Sequence, residues 1–136
     1  MLKKCLLAAV VATALFQSPA HAGFQATWPL QIEPHPDGTI AFWGSLGSVR
    51  NSADWSEEIG CNVLYQLGQW PVGYCYAVQD SPQGKVDVSC HTSDPWMLVA
   101  IQSIGTDSML HITIDAEGRC SRIRVQNLSW VPPKAL

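Results

Sequence analysis

Four cysteines, Cys61, Cys75, Cys90 and Cys120, constrain this chain more than any other feature, because pairing them leaves few ways to arrange the segments between them. An even number in a short exported chain argues for two disulfides. A four-thiolate zinc site is the rival, but its mark is close C-x-x-C pairs and none of these gaps is close. Three connectivities are open, and spacing does not choose among them.

The chain start supplies the oxidising compartment that such bridges need. Lys3 and Lys4 precede an apolar run from Leu6 to Phe16, and Ala20-His21-Ala22 follows with small residues in the cleavage pattern. That is the layout of a secretory signal peptide over residues 1–22. The run is shorter than the roughly 20 apolar residues of a spanning helix. The fifth cysteine, Cys5, lies in the charged start rather than at the cleavage site, which argues against a lipid anchor. Residues 23–136 then form one domain, with no transmembrane segment expected after cleavage. The formal net charge is −3 for the whole chain and more negative without Lys3 and Lys4. Nucleic acid and anionic membranes attract positive fields, so neither is expected as a general partner.

Pro29, Pro34 and Pro36 fix backbone angles and remove donors, so residues 23–36 read as an extended lead-in and not as a central strand. Pro36-Asp37-Gly38 reads as a turn. A strand is expected over Thr39–Val49, where Gly44 and Gly47 suggest a bulge or a close backbone approach. The β-branched and aromatic runs Ile59–Leu67, Val72–Val78 and Lys85–Cys90 read as an antiparallel meander, connected by Gly68–Pro71 and Ser81–Gly84. Centring the second turn between Pro82 and Gln83 places Cys75 opposite Cys90, which permits a bridge without requiring one.

In Ser93–Gly105, Asp94 suits a helix N-cap, Pro95 the first helical position and Gly105 the left-handed position beyond the last turn. Met97, Leu98, Ile101 and Ile104 make one apolar stripe at helical spacing. Two further strands are expected. In Ser108–Ile114, Leu110, Ile112 and Ile114 face one way and Met109, His111 and Thr113 the other. After the turn Asp115–Gly118, Ser121–Asn127 alternates Ile123 and Val125 with Arg122, Arg124 and Gln126. The tail with Pro132 and Pro133 is expected to be irregular. The fold expected is mainly β: an antiparallel sandwich or partly open barrel of about six strands with one short helix near residues 95–104.

Polar chemistry concentrates in GSLGSVRNSADWSEEIGC, from Gly44 to Cys61. Arg50 and Asp54 are spaced to pair across one helical turn, and Ser52 or Asp54 to cap a corner leading into the strand of Cys61. A structured corner is the first expectation. A ligand or partner site using Arg50, Asn51, Asp54 and Trp55 is the functional one, and calcium on Asn51, Asp54, Glu57 and Glu58 matches no loop spacing. No metal or other cofactor is expected. Six tryptophans are many for this length: Trp28, Trp43, Trp55, Trp70, Trp96 and Trp130. Trp43 and Trp96 read as core, whereas Trp55 and Trp70 sit in connections and are the surface candidates for a carbohydrate or protein partner. His111, Arg122 and Arg124 share the wet face of the last hairpin and could hold an anion; a solvated face is the plainer reading.

Catalytic constellations are poor. There is no GxSxG, no HExxH, no phosphate-binding glycine loop, and His35, His91 and His111 are scattered. GSLGSVRNSAD, IGC, GYCYA, VSCHTSDPWM, IGTDS and EGRC nevertheless resemble a group of small exported bacterial proteins without assigned activity, over residues 44–127. The resemblance implies bacterial export and a shared disulfide-stabilised fold, and carries over no catalytic residue and no ligand. The function expected is a non-enzymatic binding or interaction module of the cell envelope, of inhibitor or accessory type. The alternatives are a carbohydrate-active or other hydrolytic enzyme, marked by two or more carboxylates or a His/carboxylate pair in a concave pocket, and a purely structural envelope protein.

Overall fold

Strands account for about half of the described backbone in the computed structural model, which describes residues 26–54 and 56–129. The leader, Trp55 and the tail from Trp130, with Pro132 and Pro133, lie outside the described residues. Strands β1 (Gln31–Pro34), β2 (Ile40–Ser45), β6 (Met109–Ile114) and β7 (Cys120–Gln126) form one antiparallel sheet in the order β1-β2-β6-β7. A second sheet, β3-β4-β5, is built from β3 (Glu58–Leu64), β4 (Val72–Ser81) and β5 (Gly84–Thr92). The helices are α1 (Leu46–Arg50) and α2 (Pro95–Gln102). The architecture is therefore the expected β-rich, sandwich-like one, and no closed barrel forms among the described residues.

The alternation of apolar residues sets which faces meet. On the four-stranded sheet Phe42, Leu110 and Ile112 are fully buried; from the other sheet Ile59, Cys75, Ala77 and Cys90 join the same core. Each large side chain so covered contributes about 1.5–3 kcal/mol. The three-stranded sheet is the expected meander, and its turn at Pro82-Gln83 does place Cys75 opposite Cys90. The disulfides, however, are Cys61–Cys75 and Cys90–Cys120. Cys61 also lies directly opposite Cys75, so one inward-facing row carries three cysteines across β3, β4 and β5. Cys120, at the start of β7, is brought over Cys90 by a parallel bridge between His91 and Arg119. With Cys90 joined to the other sheet, Cys75 pairs with Cys61 across their own ladder.

Four sequence expectations change. The strand over Thr39–Val49 stops at Ser45, whose hydroxyl accepts from the Ser48 N–H at 3.0 Å and starts α1 instead. Gly44 marks a close approach, since a Cβ there would lie 3.2 Å from the Leu30 Cα. The proline-rich lead-in contains a strand after all: β1 pairs only with β2, so as an edge strand it tolerates Pro34. That makes seven strands rather than about six. In α2, Asp94 accepts from the N–H groups of Trp96 and Met97 as expected, but the helix closes on Ser103, and Gly105 has no positive φ. Leu98 and Ile101 form the buried stripe of α2 and sit against Gly73, where a Cβ would come within 2.5 Å of Ile101 Cδ1.

Candidate functional site

Register on the four-stranded sheet places two rows of side chains on its outer face. One runs Gln31–Trp43–His111–Arg124 and the next Glu33–Ala41–Thr113–Arg122. The charge patch expected from His111, Arg122 and Arg124 is thus assembled: His111 is directly opposite Arg124 and diagonal to Arg122. Trp43, expected in the core, is instead half-buried on this outer face, its ring centroid 5.6 Å from that of His111.

The second row, with Trp43 and His111 of the first, floors a cleft of about 430 Å³ lined also by His35, with Trp28 and Met109 at one end; Arg124 stands beside it, across from His111. Small side chains make the depression, since Ala41 and Thr113 lie between the acid on the edge strand and the base on β7. Four strands separated by about 4.8 Å put Glu33 and Arg122 about 14 Å apart at the backbone. Met109, expected on a wet face, is 8 % exposed and lines the cleft together with Trp28. Two backbone bonds strap Trp28 to the β2–α1 corner: its N–H donates to Ser48 Oγ at 3.0 Å, and its carbonyl accepts from the Ser45 N–H at 2.9 Å.

Burial, and then the charges of Arg122 and Arg124, hold the His111 pKa below the ordinary histidine value of 6.5. His111 is therefore a neutral donor or acceptor at neutral pH, and the cationic charge at this end of the cleft comes from the guanidinium groups. His35 and His111, scattered in sequence, share this cleft with the carboxylate of Glu33. His91 does not; it borders a separate cleft with Asp94, Asp115 and Arg119.

The central polar stretch serves mainly as a corner. Arg50 does not pair with Asp54, because α1 ends at Arg50 and Asp54 lies beyond it. Its guanidinium reaches Asp107 at 3.4 Å and its Nε donates to the Leu46 carbonyl at 3.0 Å. Asp54 accepts from both the N–H and the hydroxyl of Ser56, at 2.9 and 2.6 Å, and these bonds lower its pKa. Asn51 caps α1 and borders a cleft of about 310 Å³ with Thr27, Pro29 and Ser48. Glu57 accepts from Gln79 and Asp54 from Ser56, and no metal-binding group of three or more side chains forms among the described residues. Trp55 lies outside the described residues. Trp70 is 87 % exposed, but follows the Leu64 end of β3, whereas Arg50 lies by the Glu58 end. The candidates Arg50, Asn51 and Asp54 are therefore not gathered with Trp70 into one site.

Glu33, His35, Trp28 and Trp43 were not foreseen as cleft residues. Gln31 and Glu33 alternating with Ile32 ahead of the Pro36-Asp37-Gly38 turn was the available signal, hidden by the flanking prolines. Comparison of the chain with protein-family models, with curated proteins and with solved structures finds no match.

Proposed function

We propose that this is an exported, non-enzymatic binding protein of the bacterial cell envelope whose outer-sheet cleft takes an anionic carbohydrate. The assembly of Trp43, His111, Arg122 and Arg124 on one face is the observation that supports this reading most. An indole offers a flat apolar surface to a sugar ring, and two guanidinium groups offer paired donors to a carboxylate or sulfate. Glu33 and His35 at the opposite rim provide acceptors and donors for hydroxyl groups. Two disulfides and a leader-like start fit an oxidising location outside the cytoplasm.

Calorimetric titration with uronic-acid oligosaccharides, against neutral oligosaccharides of equal length, tests this. Binding should favour the acidic series, and Arg122→Ala or Arg124→Ala should each weaken it about tenfold or more, the usual cost of a charge-assisted bond. Equal binding of both series, or unchanged affinity in both variants, would overturn the proposal.

One observation favours hydrolysis as a second reading: Glu33, His35 and His111 share a concave surface. A glycosidase ordinarily needs two carboxyl groups, and Glu33 is the sole carboxylate among the described lining residues. Product release from the acidic oligosaccharides, abolished by both Glu33→Gln and His111→Gln, would put the enzyme reading in place of the binding one.

A further inference from the structure

From Ile59 to Gln79, and again from Pro95 to Thr106, the sequence contains no Asp, Glu, Lys, Arg or His. The first is the longest uncharged run of the chain, and the two correspond to the β3–β4 hairpin and α2 with its exit. The fold brings them to one end of the molecule. The amide of Gln102 donates to the Tyr65 hydroxyl, and Leu98 and Ile101 rest on Gly73.

The side chains that this end turns outward are large and apolar. Leu67 is 105 % exposed, Trp70 87 %, Trp96 83 %, Tyr65 63 % and Val99 58 %. Packing does not explain them. The buried stripe of α2 is Leu98 and Ile101, and the remaining side of a helix on a sheet ordinarily carries polar residues, whereas here it carries Trp96 and Val99. Trp96, which the sequence suggested was core, points to solvent.

We propose that this end, apolar apart from the exposed Asp94 N-cap beside Trp96, is a membrane-docking surface that places Leu67 and Trp70, with Trp96 at its margin, in the interfacial layer of a zwitterionic lipid bilayer. The inference is independent of the cleft. Absence of charge carries the choice of partner: inserting a charged group into lipid is costly, and none stands in either segment. Tryptophan and tyrosine suit the headgroup level, where the ring body meets acyl chains and the N–H or O–H remains hydrated. Shape argues the same way. Leu67 projects from the turn Gln66–Gln69, next to Gly68 (φ +77°), and a projecting tip covers little of a flat protein surface, whereas lipid flows around it. The net negative charge of the chain excludes electrostatic attraction to anionic lipid as the driving force.

Flotation of the oxidised exported protein with phosphatidylcholine vesicles, read together with tryptophan emission, tests the proposal. The protein should float with the vesicles, its emission should shift to the blue, and binding should persist from low to high salt. Leu67→Ser and Trp70→Ala should each reduce the bound fraction about tenfold through lost apolar burial, with thermal unfolding unchanged because both side chains are exposed. Lys85→Ala, at the β4–β5 turn, should bind as the parent does. Three results would overturn the proposal: no flotation, flotation only with phosphatidylglycerol vesicles and lost in salt, or self-association in sedimentation that Leu67→Ser removes while vesicles capture nothing.

Discussion

His111 illustrates how much one side chain's environment can set. The unfolded chain takes up a proton on this ring as the pH falls through 6.5, while burial and the two neighbouring guanidinium groups oppose protonation in the folded state. Its contribution to stability is therefore present above that pH and declines below it. Denaturant titrations should show stability falling on acidification through this range, and His111→Gln should flatten that slope. A separate, more acidic window belongs to Asp37, Asp54 and Asp115. The Thr39 hydroxyl, the Ser56 hydroxyl and the Arg119 N–H respectively are the main groups holding these carboxylates below the ordinary 3.8, so their contribution is lost only as pH falls below that value. A pH profile with only the lower window would contradict the placement of His111. Arg50 makes the opposite point. Its ion pair with Asp107 is more than a third exposed on both sides, so Arg50→Ala should change stability by less than about 1 kcal/mol.

Elements follow local chemistry where a local signal is strong and tertiary packing where it is not. Asp94 and Pro95 start α2 as the sequence indicates, and Asp94→Ala should cost about 1 kcal/mol in thermal unfolding. At the C-terminal end a glycine was available at 105, yet α2 closes on Ser103, whose hydroxyl donates to the Ala100 carbonyl at 2.7 Å. α1 was illegible because Leu46–Arg50 carries two small residues and no full apolar stripe; Ser45 and the bond from the Leu46 N–H to the Ser108 carbonyl, at 2.9 Å, fix it there. Gly73 is legible only in three dimensions. A methyl group at that position would displace the ends of Ile101 and Leu98, so Gly73→Ala should cost about 1–3 kcal/mol and loosen α2, a change seen as faster amide exchange in residues 95–102.

At the scale of the whole molecule, the two disulfides have unequal tasks. Cys61–Cys75 lies within a hairpin whose strands are already paired, while Cys90–Cys120 joins the two sheets and closes the longer loop, of sequence separation 30 against 14. Replacing Cys90 and Cys120 with serine should therefore destabilise the protein more than replacing Cys61 and Cys75, within the usual range of about 2–5 kcal/mol. Equilibrium unfolding of the two double variants, with mass mapping of the remaining bridge, measures the difference.

The sequence by itself determined the β-rich class, most strand positions, the caps that start α2 and the charged face of the last hairpin. These follow from alternation, turn chemistry and capping, which act over a few residues. Only the tertiary structure decided which cysteines pair, that the proline-rich lead-in contributes an edge strand, and that Glu33 and His35 meet His111 and Arg122 across a shallow floor. Those outcomes depend on strand order and register between segments distant in the chain, and no local pattern encodes which sheet edge a segment will reach.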